Sequence, residues 1–343
     1  MVFMKRKKWA DIAKSFAIIG VLVGHTPGIP GFLARFIYSF HMPLFFILSG
    51  YFMKDTENIK KSVKKDAKGM LIPYAVTCVI IIFLAAVLAF LKDQEVLTSV
   101  KQWTIAALYG SGGPVAVPKI KWIGALWFLL ALFFAKLIIY LTEALGKYQW
   151  AAVFAIAYIG YATARLFWLP MSIQAGMTAS MYVYIGKIIH KNDLFTKSFC
   201  SGKTALYIFA PALWAFCIMF CGRLYMVENF YGNGLLDIFG SIAAAFTLVW
   251  LSMLIEKYIP IVKNVLAYIG SITLVILCAH ITELNVFPWP ALFRILRIKW
   301  TWWIELSIRF VLVALMCAVL RVIPVINRVY FPKRKKRAAA ACA

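Results

Sequence analysis

Ten windows of about 20 apolar residues run along the chain, near 9–27, 35–53, 70–91, 122–141, 149–168, 170–189, 204–221, 234–255, 265–284 and 302–322. A window of that length matches the hydrocarbon thickness of a bilayer. In hydrocarbon a backbone N–H or C=O has no water to bond, so each window is expected to close its hydrogen bonds within itself as an α-helix. The composition agrees: 63% hydrophobic and 15% charged residues, mean hydropathy +0.83, against roughly 45–50% and 25% in soluble chains. The expected fold is an all-α integral membrane bundle of about ten helices. Residues 1–330 read as one transmembrane domain, and 331–343 as a basic, disordered cytoplasmic tail. The stretch 92–121, with Gly110, Gly112, Gly113, Pro114 and Pro118, reads as a long loop with one short interfacial helix, too polar to span.

The net charge of +24 would suggest nucleic acid in a soluble protein. Its placement points to the membrane instead. With an N-terminus inside, the inner segments collect more than twice as many Lys and Arg as the outer ones, including Lys5–Lys8, Lys60–Lys68 and Lys333–Arg337, which is the positive-inside bias. Both termini are therefore expected in the cytoplasm, with the basic juxtamembrane segments meeting anionic lipid. The basic start has no cleavage site after it and reads as a retained first span. The seven cysteines, Cys78, Cys200, Cys217, Cys221, Cys278, Cys317 and Cys342, lack metal-ligand spacing, so they read as small buried hydrophobes, and no metal is expected.

The first window carries more charge than a span tolerates. In DIAKSFAIIGVLVGH, residues 11–25, it keeps Asp11, Lys14 and His25. Each such group costs about 2.5–3.5 kcal/mol on insertion scales, so three together mark a site with partners. Asp11 and Lys14 form an i,i+3 pair, and Lys14 and His25 lie ~20° apart on one helix face. That face reads as a polar seam through nearly the whole depth, with His25 close to the outer surface. The second window opens at Arg35 and places His41 ~9 Å below it, and the ninth carries His280 ~22 Å along its path. Three of the four histidines are thus expected at one level, while His190 falls in an inner loop as a solvated residue. Glu305 and Arg309 read as a structural i,i+4 ion pair, and Asp237 as a snorkelling interfacial residue.

These residues carry a resemblance. Lys14, ten residues and His25, followed by FHMPLFFILSGYF, resemble the first elements of the acyltransferase family 3 membrane proteins, the fucose 4-O-acetylase-like subgroup above all. KKDAKGMLIPY (64–74) is similar to the family's basic stretch ending in Pro-Tyr, with Lys65-x-x-Lys68 where Arg-x-x-Arg is frequent. ALWFLLALF (125–133) and IGSITLVILCAH (269–280) are similar to two further elements. The departures are lysines for arginines at 14, 65 and 68, and Leu277-Cys278 for an Ile-Tyr pair. Lysine does not offer phosphate the bidentate fork of arginine.

The resemblance implies a multi-pass enzyme of the bacterial cytoplasmic membrane that moves an acyl group, usually acetyl, from cytoplasmic acetyl-CoA to a hydroxyl of a cell-envelope or exported glycan. No tightly bound cofactor is implied. Acetyl-CoA is a substrate, and the partners are the glycan acceptor and the bilayer, without nucleic acid. Lys64, Lys65 and Lys68 would meet the donor phosphates. His25, with an ordinary pKa near about 6.5, would serve as base or acyl relay, with Asp11 and Lys14 keeping the seam polar. Arg35, His41 and His280 would bind the acceptor or polarise the acyl oxygen. The rival reading is a transporter using the same seam as a solute or ion path.

Overall fold

The computed structural model describes residues 7–55, 58–114, 120–200, 204–221 and 224–331. The tail 332–343 lies outside the described residues, as do the basic residues Lys5, Arg6, Lys119, Lys203 and Arg223 and the cysteine Cys342. In chain order the helices are α1 (Lys8–Gly24), α2 (Gly31–Tyr38), α3 (His41–Tyr51), α4 (Ile59–Leu91), α5 (Val96–Tyr109), α6 (Trp127–Thr142), α7 (Gln149–Thr163) and α8 (Ile173–Lys191). They continue as α9 (Leu194–Cys200), α10 (Thr204–Phe220), α11 (Leu235–Tyr258), α12 (Pro260–Ser271), α13 (Thr273–Val286), α14 (Trp289–Leu296), α15 (Trp302–Val322) and α16 (Pro324–Tyr330). A two-stranded ribbon, β1 (Leu224–Tyr225) and β2 (Phe230–Tyr231), sits between α10 and α11 and pairs antiparallel.

All ten apolar windows fall on helices. Among the described residues, five stretches are long and apolar enough to cross a bilayer: Gly31–Tyr51, Ile59–Leu91, Gly124–Thr163, Leu235–Tyr258 and Trp302–Val322. The pair α12 and α13 adds a sixth if it is taken as one span broken by a 66° bend. Within 124–163 the chain turns at Gly146, whose φ of 52° and ψ of −118° lie outside the helical region, so α6 and α7 are separate helices. Large apolar side chains on α4, such as Val79, Phe83 and Phe90, remain exposed, as a lipid-facing surface requires.

Two windows expected as single helices are interrupted. In the second, the chain leaves the helix at Ser39 and Phe40. The Ser39 hydroxyl accepts a hydrogen bond from Trp214 Nε1 of α10 at 2.8 Å and donates to Phe36 O, which gives the break partners of its own. In the ninth, Ile272 separates α12 from α13.

Packing without side chains fixes the centre. Gly50 of α3 and Gly186 of α8 face each other's helices: a Cβ on Gly50 would sit 1.9 Å from Val183 O, and one on Gly186 2.0 Å from Ile47 O. Backbones that close are the small-residue contact by which membrane helices associate. Gly270 of α12 meets α1 in the same manner, with the Asp11 carbonyl 1.6 Å from where a Cβ would be. The start of α1 is tied by the Glu256 carboxylate at the end of α11, which accepts from Trp9 N at 3.0 Å. That bond satisfies an amide with no partner inside its own helix and places negative charge at the positive end of the helix dipole.

Among its described residues, the stretch 92–121 carries the one α-helix expected of it. Its α5 doubles back antiparallel along α4, with Ser99 bonded to Ala85 O and Tyr74 OH donating to Ala107 O at 2.6 Å. A left-handed Gly110 (φ 67°) ends it. The chain thereby returns towards the bundle and delivers the turn 111–114 to the end of α1.

Candidate active site

His25 follows the last residue of α1, where Thr26, Pro27 and the left-handed Gly28 (φ 72°) stop the helix. Its Nδ1 lies 2.8 Å from Val21 O. Only a protonated nitrogen bonds a carbonyl, so Nδ1 carries the proton in the neutral ring and Nε2 keeps its lone pair. From α13, His280 Nε2 approaches the same Nδ1 at 3.4 Å, with ring centroids 5.3 Å apart. His280 Nδ1 lies 3.0 Å from Glu283 Oε2, one turn along its own helix, so its proton is on Nδ1 and Nε2 accepts. The result is a chain of three groups, Glu283, His280 and His25, whose tautomers are set by their partners.

Behind that chain lies a buried charge network. Arg309 of α15 is fully buried and reaches Glu283 at 3.3 Å, Glu305 at 2.8 Å and Thr26 Oγ1 at 2.5 Å. Trp289 Nε1 donates to Glu283 at 2.6 Å, and Trp300 Nε1 to Glu305 at 2.7 Å. Two carboxyl groups share one guanidinium. Buried charges persist only when paired and bonded in this way. The Glu305–Arg309 pair expected from spacing is present, and it is also the anchor of the histidine chain.

On its open side His25 lines a cavity of about 230 Å³. His41 lines the same cavity, its Nδ1 2.8 Å from Ile37 O and its ring edge-on to Tyr38. Trp122 and Trp127, the turn Gly112–Pro114, and the segment from Leu224 to Glu228 line it too. A Cβ on Gly112 would lie 2.3 Å from the Trp127 indole, so only glycine lets this turn close onto the wall. Glu228, on the loop between β1 and β2, is half-buried, and burial raises its pKa above the ordinary 4.5. It has no ion pair among the described residues.

The other expected residues fall elsewhere. Asp11 is buried, and Lys14 lies 3.5 Å from it and over the Phe52 ring, at the opposite end of α1. Between that end and His25 the same helix face presents Ile18 and Val21, each 1% exposed. The seam therefore does not run unbroken: apolar packing separates its two polar ends, because a face that meets neighbouring helices gains more from burying aliphatic groups. Arg35 on α2 is half-buried and does not line the cavity. Lys64, Lys65 and Lys68 are exposed on the first turns of α4 and line none of the described cavities. His190 is exposed, as expected, but belongs to the last turn of α8 and packs edge-on against Tyr51. Asp237 is buried and accepts from Asn233 N instead of reaching for an interface. Cys78, Cys217, Cys221, Cys278 and Cys317 are buried free thiols.

Glu283, Thr26, Trp289 and Glu228 belong to the site although the sequence does not single them out. The His280-x-x-Glu283 spacing is a visible signal for the first; the remaining contacts join segments far apart in the chain and leave no local trace. Comparison with the curated proteins gave no match, and comparison with the solved structures gave none. Residues 7–324 match the family model described as an acyltransferase domain, which takes in the helix carrying His25, the helix carrying His280 and the helix carrying Arg309. The protein is a membrane acyltransferase belonging to acyltransferase family 3.

Proposed function

We propose that the protein transfers an acetyl group from cytoplasmic acetyl-CoA to a hydroxyl of an envelope or exported glycan, with His25 as the general base. The observation that carries this reading is the placement of His25: Nδ1 is held by Val21 O and His280, and the ring lines the cavity. The nitrogen left for chemistry is Nε2. It takes the proton of the acceptor hydroxyl as the oxygen attacks the thioester carbonyl, forming a C–O bond and a tetrahedral oxyanion. Collapse breaks the C–S bond, and the proton passes from Nε2 to the departing thiolate. During the step His25 is an imidazolium, and the His280–Glu283 pair stabilises it through Nδ1, in the manner of a base oriented by a second and third group.

His41, on the same cavity, is suited to polarise the acyl oxygen or bind the acceptor. Lys64, Lys65 and Lys68 supply positive charge for the donor phosphates from the first turns of α4. Asp11 and Lys14 are assigned to the donor end of α1, and Arg35 to acceptor contact from α2. Both termini are placed in the cytoplasm and the histidines towards the outer face of a bacterial cytoplasmic membrane, on the strength of the basic-residue bias. Family membership does not favour a transporter. The test is mass spectrometry of envelope glycans from cells with the wild type, with His25→Ala and without the protein. An increment of about 42 daltons, the mass one acetyl adds in a covalent transfer, is expected with the wild type alone; the same increment with His25→Ala would overturn the assignment.

A further inference from the structure

The cavity that His25 lines carries a second chemistry on its wall. Glu228 brings a half-buried carboxylate to it. Gly113 packs on that side chain, with Glu228 Oε1 3.2 Å from where a Cβ would sit, so the turn is shaped around the carboxylate. Two aromatic rings line the same cavity: Trp122, 48% exposed, and Tyr225, whose ring lies 4.9 Å from that of Tyr38. A carboxylate at the edge of aromatic planes accepts bonds from two neighbouring hydroxyls while the planes cover apolar C–H faces, and it repels a second anion. At about 230 Å³ the space is below the roughly 300–1,000 Å³ of sites for drug-sized ligands. One ring fits in it.

Resting on the proposed acetyl transfer, we infer that Glu228, with Trp122 and Tyr225, forms an acceptor subsite for a single neutral sugar residue and rejects sugars that carry a carboxylate or phosphate at that position. Burial of Glu228 without an ion-pair partner among the described residues raises the cost of leaving its carboxylate unbonded, and hydroxyl donors from a bound ring relieve that cost. An anionic sugar adds a like charge in a partly desolvated space and is disfavoured by the same geometry.

The test uses the full-length protein in detergent micelles or nanodiscs, with methyl hexopyranosides and the matching methyl hexuronides as probes. Ligand-observed saturation-transfer NMR measures binding without any donor, and product formation with acetyl-CoA measures turnover. The wild type is expected to bind and acetylate the neutral glycoside at least about tenfold better than the uronide, the size of one charge-assisted contact. Glu228→Gln keeps the shape and removes the charge. It is expected to raise KM for the neutral glycoside and narrow the discrimination to about threefold or less, and Trp122→Ala is expected to weaken both probes. Equal use of the two glycosides by the wild type, unchanged discrimination in Glu228→Gln, or no binding of any glycoside overturns the inference. Charge-sensitive binding without acetyl transfer overturns the acetyltransferase reading instead and leaves the subsite standing.

Discussion

His280 Nε2 lies 3.4 Å from His25 Nδ1, although 255 positions separate the two residues. A contact of that span makes the base of α1 dependent on α13, and α13 in turn is held through Glu283 by α15.

Replacing His25 by Ala is expected to lower acyl transfer by about 10²–10⁴-fold, the range of a positioned general base, with the helical content and melting behaviour of the wild type. Circular dichroism and a transfer assay on the same preparation check both halves. Retention of more than a tenth of the activity would sink the role of His25.

His280→Ala and Glu283→Gln are each expected to lower kcat by about tenfold or more with little change in KM, since neither touches the cavity wall. The two should also be non-additive. A double-mutant cycle is expected to give a coupling within the roughly 0.5–3 kcal/mol seen for contacting residues; strict additivity would mean that the chain does not act as a unit.

Arg309→Met leaves Glu283 and Glu305 buried without their shared cation. Breaking a buried pair by removing one partner costs about 3–5 kcal/mol, so a large fall in melting temperature is expected. Adding Glu283→Gln and Glu305→Gln to Arg309→Met should restore much of it. A neutral effect of the single change would contradict the network.

Gly186→Ala puts a methyl 2.0 Å from Ile47 O. Backbone cannot rotate away as a side chain can, so α3 and α8 must separate, at a cost of at least the 1–3 kcal/mol or so of ordinary overpacking. Reduced thermal stability and yield in detergent are the expected readouts, with Gly69→Ala, where nothing lies within 4 Å, as the control.

Glu228 gives a pH dependence with a definite sign. Burial raises its pKa in the folded protein above the ordinary 4.5, so the folded state holds this proton more tightly than the unfolded chain. Its contribution to stability is greatest below pH 4.5 and declines as pH rises through the folded value. Glu228→Gln is therefore expected to melt higher than the wild type at neutral pH and to lose that advantage in acid. Thermal melts at both pH values decide it; an advantage that grows in acid would reverse the argument.

Much of this arrangement is legible in the amino-acid sequence. The apolar windows land on helices because hydrocarbon leaves the backbone no alternative. The levelling of His25, His41 and His280 follows from counting residues at a fixed rise. The same counting errs in giving an unbroken seam: Ile18 and Val21 stand on the Lys14–His25 face in the sequence itself. The break at Ser39 and Phe40 cannot be counted, since it is held by Trp214 from a distant helix. Nor can the return of α5 along α4: a helix is expected in that stretch, but its packing partner is set by contacts such as Tyr74 OH with Ala107 O.

The interruption between α2 and α3 has one more effect. It makes His41 and Met42 the opening residues of a new helix, both facing the cavity region, and Pro43 behind them has no N–H to offer. Tyr38, at the end of α2, lines the same cavity and donates to Gly24 O at the end of α1 at 3.2 Å. A kink that looks like a defect in a membrane segment thus lets one stretch of chain turn two rings, Tyr38 from the end of one helix and His41 from the start of the next, onto the same space.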